Sequence, residues 1–271
     1  MQRVLIFLAV FLVAGVALAE DASLRRLDTG DATRGWEAVG QLNLGGKGFC
    51  TGALIAEDLV LTAAHCLFDK HTGAAIDPTT IQFLAGWRNG RAEAYRGAKR
   101  AVSHPDYAFQ AHPGSDRVRH DIALIQLDQP IRTGAINPFA TDAQPRRGEE
   151  VGVVSYAHDR ADAPSLQRTC TVRDRVAEVL VMSCDVDFGS SGAPVFSFGH
   201  GRPRIVSVVS AKAEVDGAKV SLGTDLDDTL PALKAALRAE IGLPQAGQGA
   251  VRVGVMTERR ASGAKFVRPG G

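Results

Sequence analysis

Three well-separated segments of this chain carry residue types suited to acyl transfer. Leu61-Thr62-Ala63-Ala64-His65-Cys66 offers an imidazole. His120-Asp121-Ile122-Ala123-Leu124-Ile125-Gln126-Leu127 sets a carboxylate at the mouth of an apolar, strand-like run. Asp187-Phe188-Gly189-Ser190-Ser191-Gly192-Ala193-Pro194-Val195-Phe196 presents two adjacent hydroxyls in a glycine-rich turn. Peptide-bond cleavage by acyl transfer needs a nucleophile, a base beside it, a group that orients the base, and N–H donors for the oxyanion. An aspartate at a strand mouth can hold the imidazole nitrogen that faces away from the nucleophile, fixing the tautomer and stabilising the imidazolium. Singly, each segment has a plainer reading: a structural histidine, a strand cap, an ordinary turn.

The elements that must position these groups are mostly short β runs. Residues 36–44, 52–55, 59–62, 122–127, 151–156, 179–184, 194–198 and 205–210 are rich in Val, Ile and Leu, with Gly, Pro, Asp and Asn between them. That pattern belongs to a sandwich or barrel rather than to βαβ units. One helix is expected near the end: Pro231 suits a first turn, residues 232–239 are mostly strong helix formers, and Gly242-Leu243-Pro244 is a stop signal. Residues 244–271 form a basic, Gly-rich tail, with five basic residues and one acid from 245 onward.

The 271 residues, 45% of them hydrophobic, suffice for one sizeable domain or two packed halves. The net charge of +1 argues against nucleic acid as a partner. Residues 1–19 read as a secretory signal: Arg3, an apolar run over 4–18, and the small-x-small site Ala17-Leu18-Ala19. The run is too short for a membrane span, which takes about 20 residues. Residues 20–35 are then an N-terminal segment or short pro-segment. In an oxidising, secreted or periplasmic setting, Cys50, Cys66, Cys170 and Cys184 are expected to form disulfides. Three pairings are open, of which nearest-neighbour pairing is simplest. No C-x-x-C pair is present, and His104, His112 and His120 recur without zinc-ligand spacing, so neither metal nor cofactor is expected.

Taken together, the His65, Asp121 and Ser191 segments resemble the corresponding segments of trypsin/chymotrypsin-like serine proteases. The resemblance includes Ser103-His104-Pro105-Asp106-Tyr107 ahead of the aspartate and the strand-like run 205–210, and covers roughly residues 36–243. The order His, Asp, Ser is that of this fold and not of subtilisins or α/β-hydrolases. The family implies an all-β fold of two six-stranded antiparallel barrels with a C-terminal helix and the triad in the cleft between them. It also implies a Cys50–Cys66 disulfide across the histidine loop, Ser191 as nucleophile, and backbone N–H groups of Gly189 and Ser191 as oxyanion donors. An exported serine endopeptidase acting as a monomer on proteins or peptides is the function so implied. A catalytically silent binding protein on the same fold, and a protease that works only after residues 20–34 are removed, are its rivals.

The chain departs from the family pattern at informative places. Ser190 stands where digestive proteases carry an Asp that pairs with a newly freed N-terminus. That neutral residue, and Ala193 in place of a second Gly, are closer to bacterial glutamyl-endopeptidase-like members. Asp185, six residues before Ser191, falls where trypsin has the acid at the floor of the pocket for the residue preceding the scissile bond; a buried carboxylate there favours Arg or Lys. Ser210 and Lys212 are expected to line the same pocket, Lys212 either narrowing it or neutralising Asp185. Glu or small-apolar specificity is the alternative.

Overall fold

The computed structural model describes residues 23–110, 114–199 and 201–239, with the backbone of 265–266. The expected signal at 1–19 lies outside the described residues. A two-residue strand, β1 (Arg25–Arg26), precedes the first barrel. That barrel comprises β2 (Val39–Leu44), β3 (Phe49–Ala56), β4 (Leu59–Thr62), β5 (Ile81–Ala85), β6 (Ala94–Ser103) and β7 (Ala123–Leu127). It closes in the order β2-β3-β4-β7-β6-β5. A single helical turn and a half, α1 (Ser115–Arg119), interrupts the path from β6 to β7.

The second barrel is built from β8 (Glu150–Ser155), β9 (Ser165–Val176), β10 (Val179–Met182), β11 (Pro194–Ser197), β12 (Arg204–Val215) and β13 (Ala218–Thr224). Its order is β9-β10-β13-β12-β11-β8, and a β8–β9 ladder closes it. Closure removes most of the edge that an open sheet of such apolar strands leaves for aggregation, and β12 runs on past β11, to Val215. The two-barrel expectation is met, every ladder being antiparallel. Two hairpins turn through central residues that both have positive φ, Ala177-Glu178 and Asp216-Gly217. This geometry matches the right-handed twist of the strands it joins.

The C-terminal helix is α2 (Thr229–Arg238), with Pro231 in its first turn. Its Leu230, Leu233 and Leu237 are buried in the same apolar cluster as the first barrel's Leu54, Leu124 and Ile125, so the helix that leaves the second barrel packs on the first. The second barrel has its own core around Val151, Val172, Leu180, Val195 and Val206. Trp36, Phe139 and Phe196 meet between the barrels, with Trp36 edge-on to Phe196 at 5.1 Å and Phe139 to Phe196 at 4.7 Å.

The folded unit begins before residue 36. β1 pairs with β9, Leu27 is wholly buried, and its N–H donates to the Pro164 carbonyl (2.8 Å). Within the expected tail, a two-residue strand, β14 (Lys265–Phe266), pairs with β12 opposite Ala213 and Glu214. No helix among the described residues is long and apolar enough to cross a membrane.

Candidate active site

His65 lies in a short 3-10 turn directly after β4, and Cys66 beside it is bonded to Cys50 on β3. The backbone of the imidazole is thereby tied to the neighbouring strand. The second disulfide joins Cys170 on β9 to Cys184 after β10. Asp121 sits two residues before β7, its side chain buried to 3% exposure. One carboxylate oxygen, Oδ1, accepts from the His65 backbone N–H at 2.8 Å. The other, Oδ2, faces His65 Nδ1 at 2.7 Å and also accepts from the Ser210 hydroxyl. Burial pushes the Asp121 carboxyl upward, but the charge of the His65 ring and the hydrogen bonds from the ring, from Ser210 and from the His65 N–H outweigh it. The group is held below the ordinary aspartate value and stays ionised at neutral pH. Its main chain is held as well, because the Thr224 hydroxyl donates to the Val118 carbonyl (2.6 Å) and sits 3.3 Å from the Asp121 carbonyl.

Ser191 comes from the second barrel, on the loop before β11. Among the described residues, the first barrel's hydrogen bonds to that loop come from Thr51 on β3. The Thr51 N–H donates to the Ser191 carbonyl (2.9 Å) and its hydroxyl to the Gly189 carbonyl (2.8 Å). The same hydroxyl accepts from Tyr156 N–H (3.1 Å), and the Thr51 carbonyl accepts from Thr62 Oγ (2.9 Å). Next to Ser191, Gly192 (φ +78°) lies so close to the first barrel that a Cβ there would fall 2.1 Å from the Thr62 side-chain Oγ1, 2.3 Å from the Thr51 carbonyl oxygen and 2.9 Å from the Ala63 N. Only glycine fits. This contact sets the serine against the segment that leads into His65.

The two expected oxyanion donors are oriented by their own peptide planes. In a trans peptide the N–H points opposite to the C=O. The Phe188 carbonyl accepts from His158 N–H (2.7 Å), and the Ser190 carbonyl from Ala193 N–H (2.9 Å). The N–H groups of Gly189 and Ser191 therefore point away from those partners, and neither has an acceptor among the described residues. Gly189 has φ +97°, and a Cβ there would strike the Phe49 ring at 2.4 Å.

Ser190, at the position of the family's activation aspartate, is buried. Its hydroxyl bonds to Ser155 Oγ (3.1 Å) and the Tyr156 carbonyl (3.2 Å) and accepts from Asp187 N–H (3.3 Å). A neutral hydroxyl network fills this place, in which no buried carboxylate asks for a cationic partner.

Two of the pocket expectations need correction. Asp185 is exposed, where a buried pocket floor was expected, because its N–H is drawn to Gln167 Oε1 (2.7 Å) and its side chain is left in solvent. Ser210, expected at the pocket wall, donates its hydroxyl to Asp121 Oδ2. Lys212 does not neutralise Asp185. Its ammonium pairs with Asp187 Oδ1 at 2.7 Å and lies 4.0 Å from the centroid of the Phe188 ring. The hydrogen bond from Lys212 holds Asp187 below the ordinary aspartate value. Asp187 and Thr51 are the functional neighbours that sequence reasoning left without a role, although Asp187 opens the Ser191 segment and Thr51 directly follows Cys50.

A family model described as Trypsin matches residues 29–221. Trypsin Blo t 3 of Blomia tropicalis is 28% identical over 54% of this chain and 53% of its own length. Glutamyl endopeptidase of Bacillus licheniformis is 25% identical, over 63% of this chain and 52% of its own. Cathepsin G of Homo sapiens is 30% identical over 52% and 50%. The chain thus spans about half the length of these curated relatives. A solved structure of a Glu endopeptidase in complex with MPD superposes with a TM-score of 0.66 at 16% identity, covering 81% of this chain and 98% of that one. At that identity the superposition speaks for the fold alone.

Proposed function

With its model spanning residues 29–221, the chain belongs to the trypsin family, and from that premise we propose that it is an exported serine endopeptidase working through an acyl-enzyme on Ser191. The observation that carries this reading is the His65 Nδ1–Asp121 Oδ2 contact of 2.7 Å. It commits Nδ1 to the carboxylate and leaves Nε2 to take the Ser191 proton. Ser191 Oγ then attacks the scissile carbonyl, and the N–H groups of Gly189 and Ser191 receive the oxyanion. His65 returns the proton to the leaving amine. Water, activated by the same imidazole, releases the acyl group. The paired cysteines support an oxidising compartment, which agrees with a signal at 1–19.

Labelling by a fluorophosphonate probe tests the assignment. Ser191→Ala is expected to abolish labelling and peptidase activity with the fold retained, while Ser190→Ala keeps both. Loss in the Ser190 variant alone assigns the wrong serine, and an unlabelled wild type favours the silent binding protein.

The finer proposal is a preference for Arg or Lys before the scissile bond. Two carboxylates, Asp185 and Asp187, lie within six residues of Ser191, a setting that suits a basic side chain, and Lys212 is bonded to one of them, Asp187. The bridge from Lys212 to Asp187 and Phe188 specifically favours a second reading, a narrowed pocket for small residues. The ratio of catalytic efficiencies for matched Arg and Ala substrates separates them. Asp185→Ser lowers that ratio on the first reading, and Lys212→Gly raises activity on large residues on the second.

A further inference from the structure

We propose that His104, Asp106 and His120 form a binding site for a divalent transition metal of the Zn2+ class, beside the segment that carries Asp121. The two histidines are sixteen positions apart in sequence and match no zinc motif; the fold brings them together. His104 follows β6, and its N–H donates to the Ile122 carbonyl at 3.0 Å, which sets it next to the end of α1 where His120 sits. The two rings face each other with centroids 4.7 Å apart and planes 11° from parallel. One ligand atom from each of His104, Asp106 and His120 lies within 4.8 Å of the others.

Two imidazoles and one carboxylate are a donor set that suits Zn2+, with a fourth position left for water. A tetrahedral ion bound at about 2.0–2.2 Å needs donors roughly 3.3 Å apart, so the three must converge slightly. The environment allows this. His104 is the buried anchor, and its Nδ1 accepts from Asp106 N–H at 3.3 Å, tying the carboxylate's backbone to the ring. Asp106 is exposed and His120 only half-buried, so both side chains are able to swing inward. The Cys50, His65 and Cys66 group offers no comparable site, since both sulfurs are spent in a disulfide. The proposed ion joins the end of β6 to the start of β7 and does not depend on the peptidase reading.

Titration of the purified protein with Co2+, followed by its visible d–d absorption, tests this directly, with Zn2+ competition and thermal melting in parallel. One Co2+ per chain is expected, displaced by Zn2+, with Zn2+ raising the melting temperature because it binds the folded state. His120→Gln and Asp106→Asn, at the two more exposed ligands, should each weaken binding by more than about tenfold. His71→Gln, His158→Gln and His65→Gln should leave the spectrum intact, which separates this site from an ion captured elsewhere. The absence of saturable Co2+ absorption, or binding that survives both His120→Gln and Asp106→Asn, overturns the proposal.

Discussion

The Asp121 carboxylate does several jobs with two oxygens, which makes its replacement diagnostic. Asp121→Asn keeps the size but loses the charge, and one of its two polar atoms becomes a donor although its neighbours, the His65 backbone N–H, His65 Nδ1–H and Ser210 Oγ–H, all need acceptors. Turnover is expected to fall by about 10⁴ near neutral pH, the scale set by a mis-held tautomer, in a protein that still folds. Near-normal turnover would reduce Asp121 to a strand cap. The Lys212–Asp187 pair invites a different measurement. The folded pKa of Asp187 is depressed, so the pair contributes above the unfolded aspartate value and is lost only as pH falls through the lower folded value. Substrate preference is therefore expected to stay flat from neutral into mildly acidic solution. It should respond instead to salt, because both partners are partly exposed. A preference that shifts at mildly acidic pH would place its control in another group.

At the scale of elements, Thr51 on β3 is the joint between the barrels and the nucleophile loop. Thr51→Val retains shape and the backbone N–H but removes the hydroxyl that donates to the Gly189 carbonyl and accepts from Tyr156 N–H. Leaving such buried groups unpaired costs about 1–3 kcal/mol each. Reduced kcat with a lowered melting temperature is the expected outcome, and a variant with unchanged kcat would mean that the loop holds itself. This joint was hidden in sequence because threonine in a strand is unremarkable until its neighbours in space are known. Other parts were plain. The β3, β4, β7 and β12 segments announced themselves as apolar runs, and the motifs around His65, Asp121 and Ser191 named the candidate chemistry. In contrast, β9 reads Ser-Leu-Gln-Arg-Thr-Cys-Thr-Val-Arg-Asp-Arg-Val, and its last four residues are exposed, so charge masks its alternation. β6 and β13 place Ala, Gly and Ser where a run of large apolar residues would have signalled a strand. The exposure of Asp185 is hidden from sequence for a related reason. Counting back from Ser191 finds Asp185, but the hydrogen bond from its N–H to Gln167, far away in the chain, decides how that stretch of backbone lies.

Over the whole molecule, each barrel supplies part of the site, so their relative placement is itself a functional quantity. The Trp36, Phe139 and Phe196 contacts and the packing of α2 against the first barrel fix that placement. The chain's far end adds another tie, because β14 lies along β12 opposite Ala213 and Glu214, next to Lys212. A strand's free edge is a row of unmet donors and acceptors that welcomes any extended chain. β14 meets that row first, and so behaves as a resident guest that a visiting peptide, or the same edge of another molecule, must work around. Shortening the protein to end before Lys265 leaves that stretch of edge vacant. The shortened protein is expected to take longer peptides more readily and to self-associate at lower concentration. Enzyme assays across a peptide length series, with light scattering over a dilution series, would register both changes, and identical behaviour of the two forms would mean that the guest is idle.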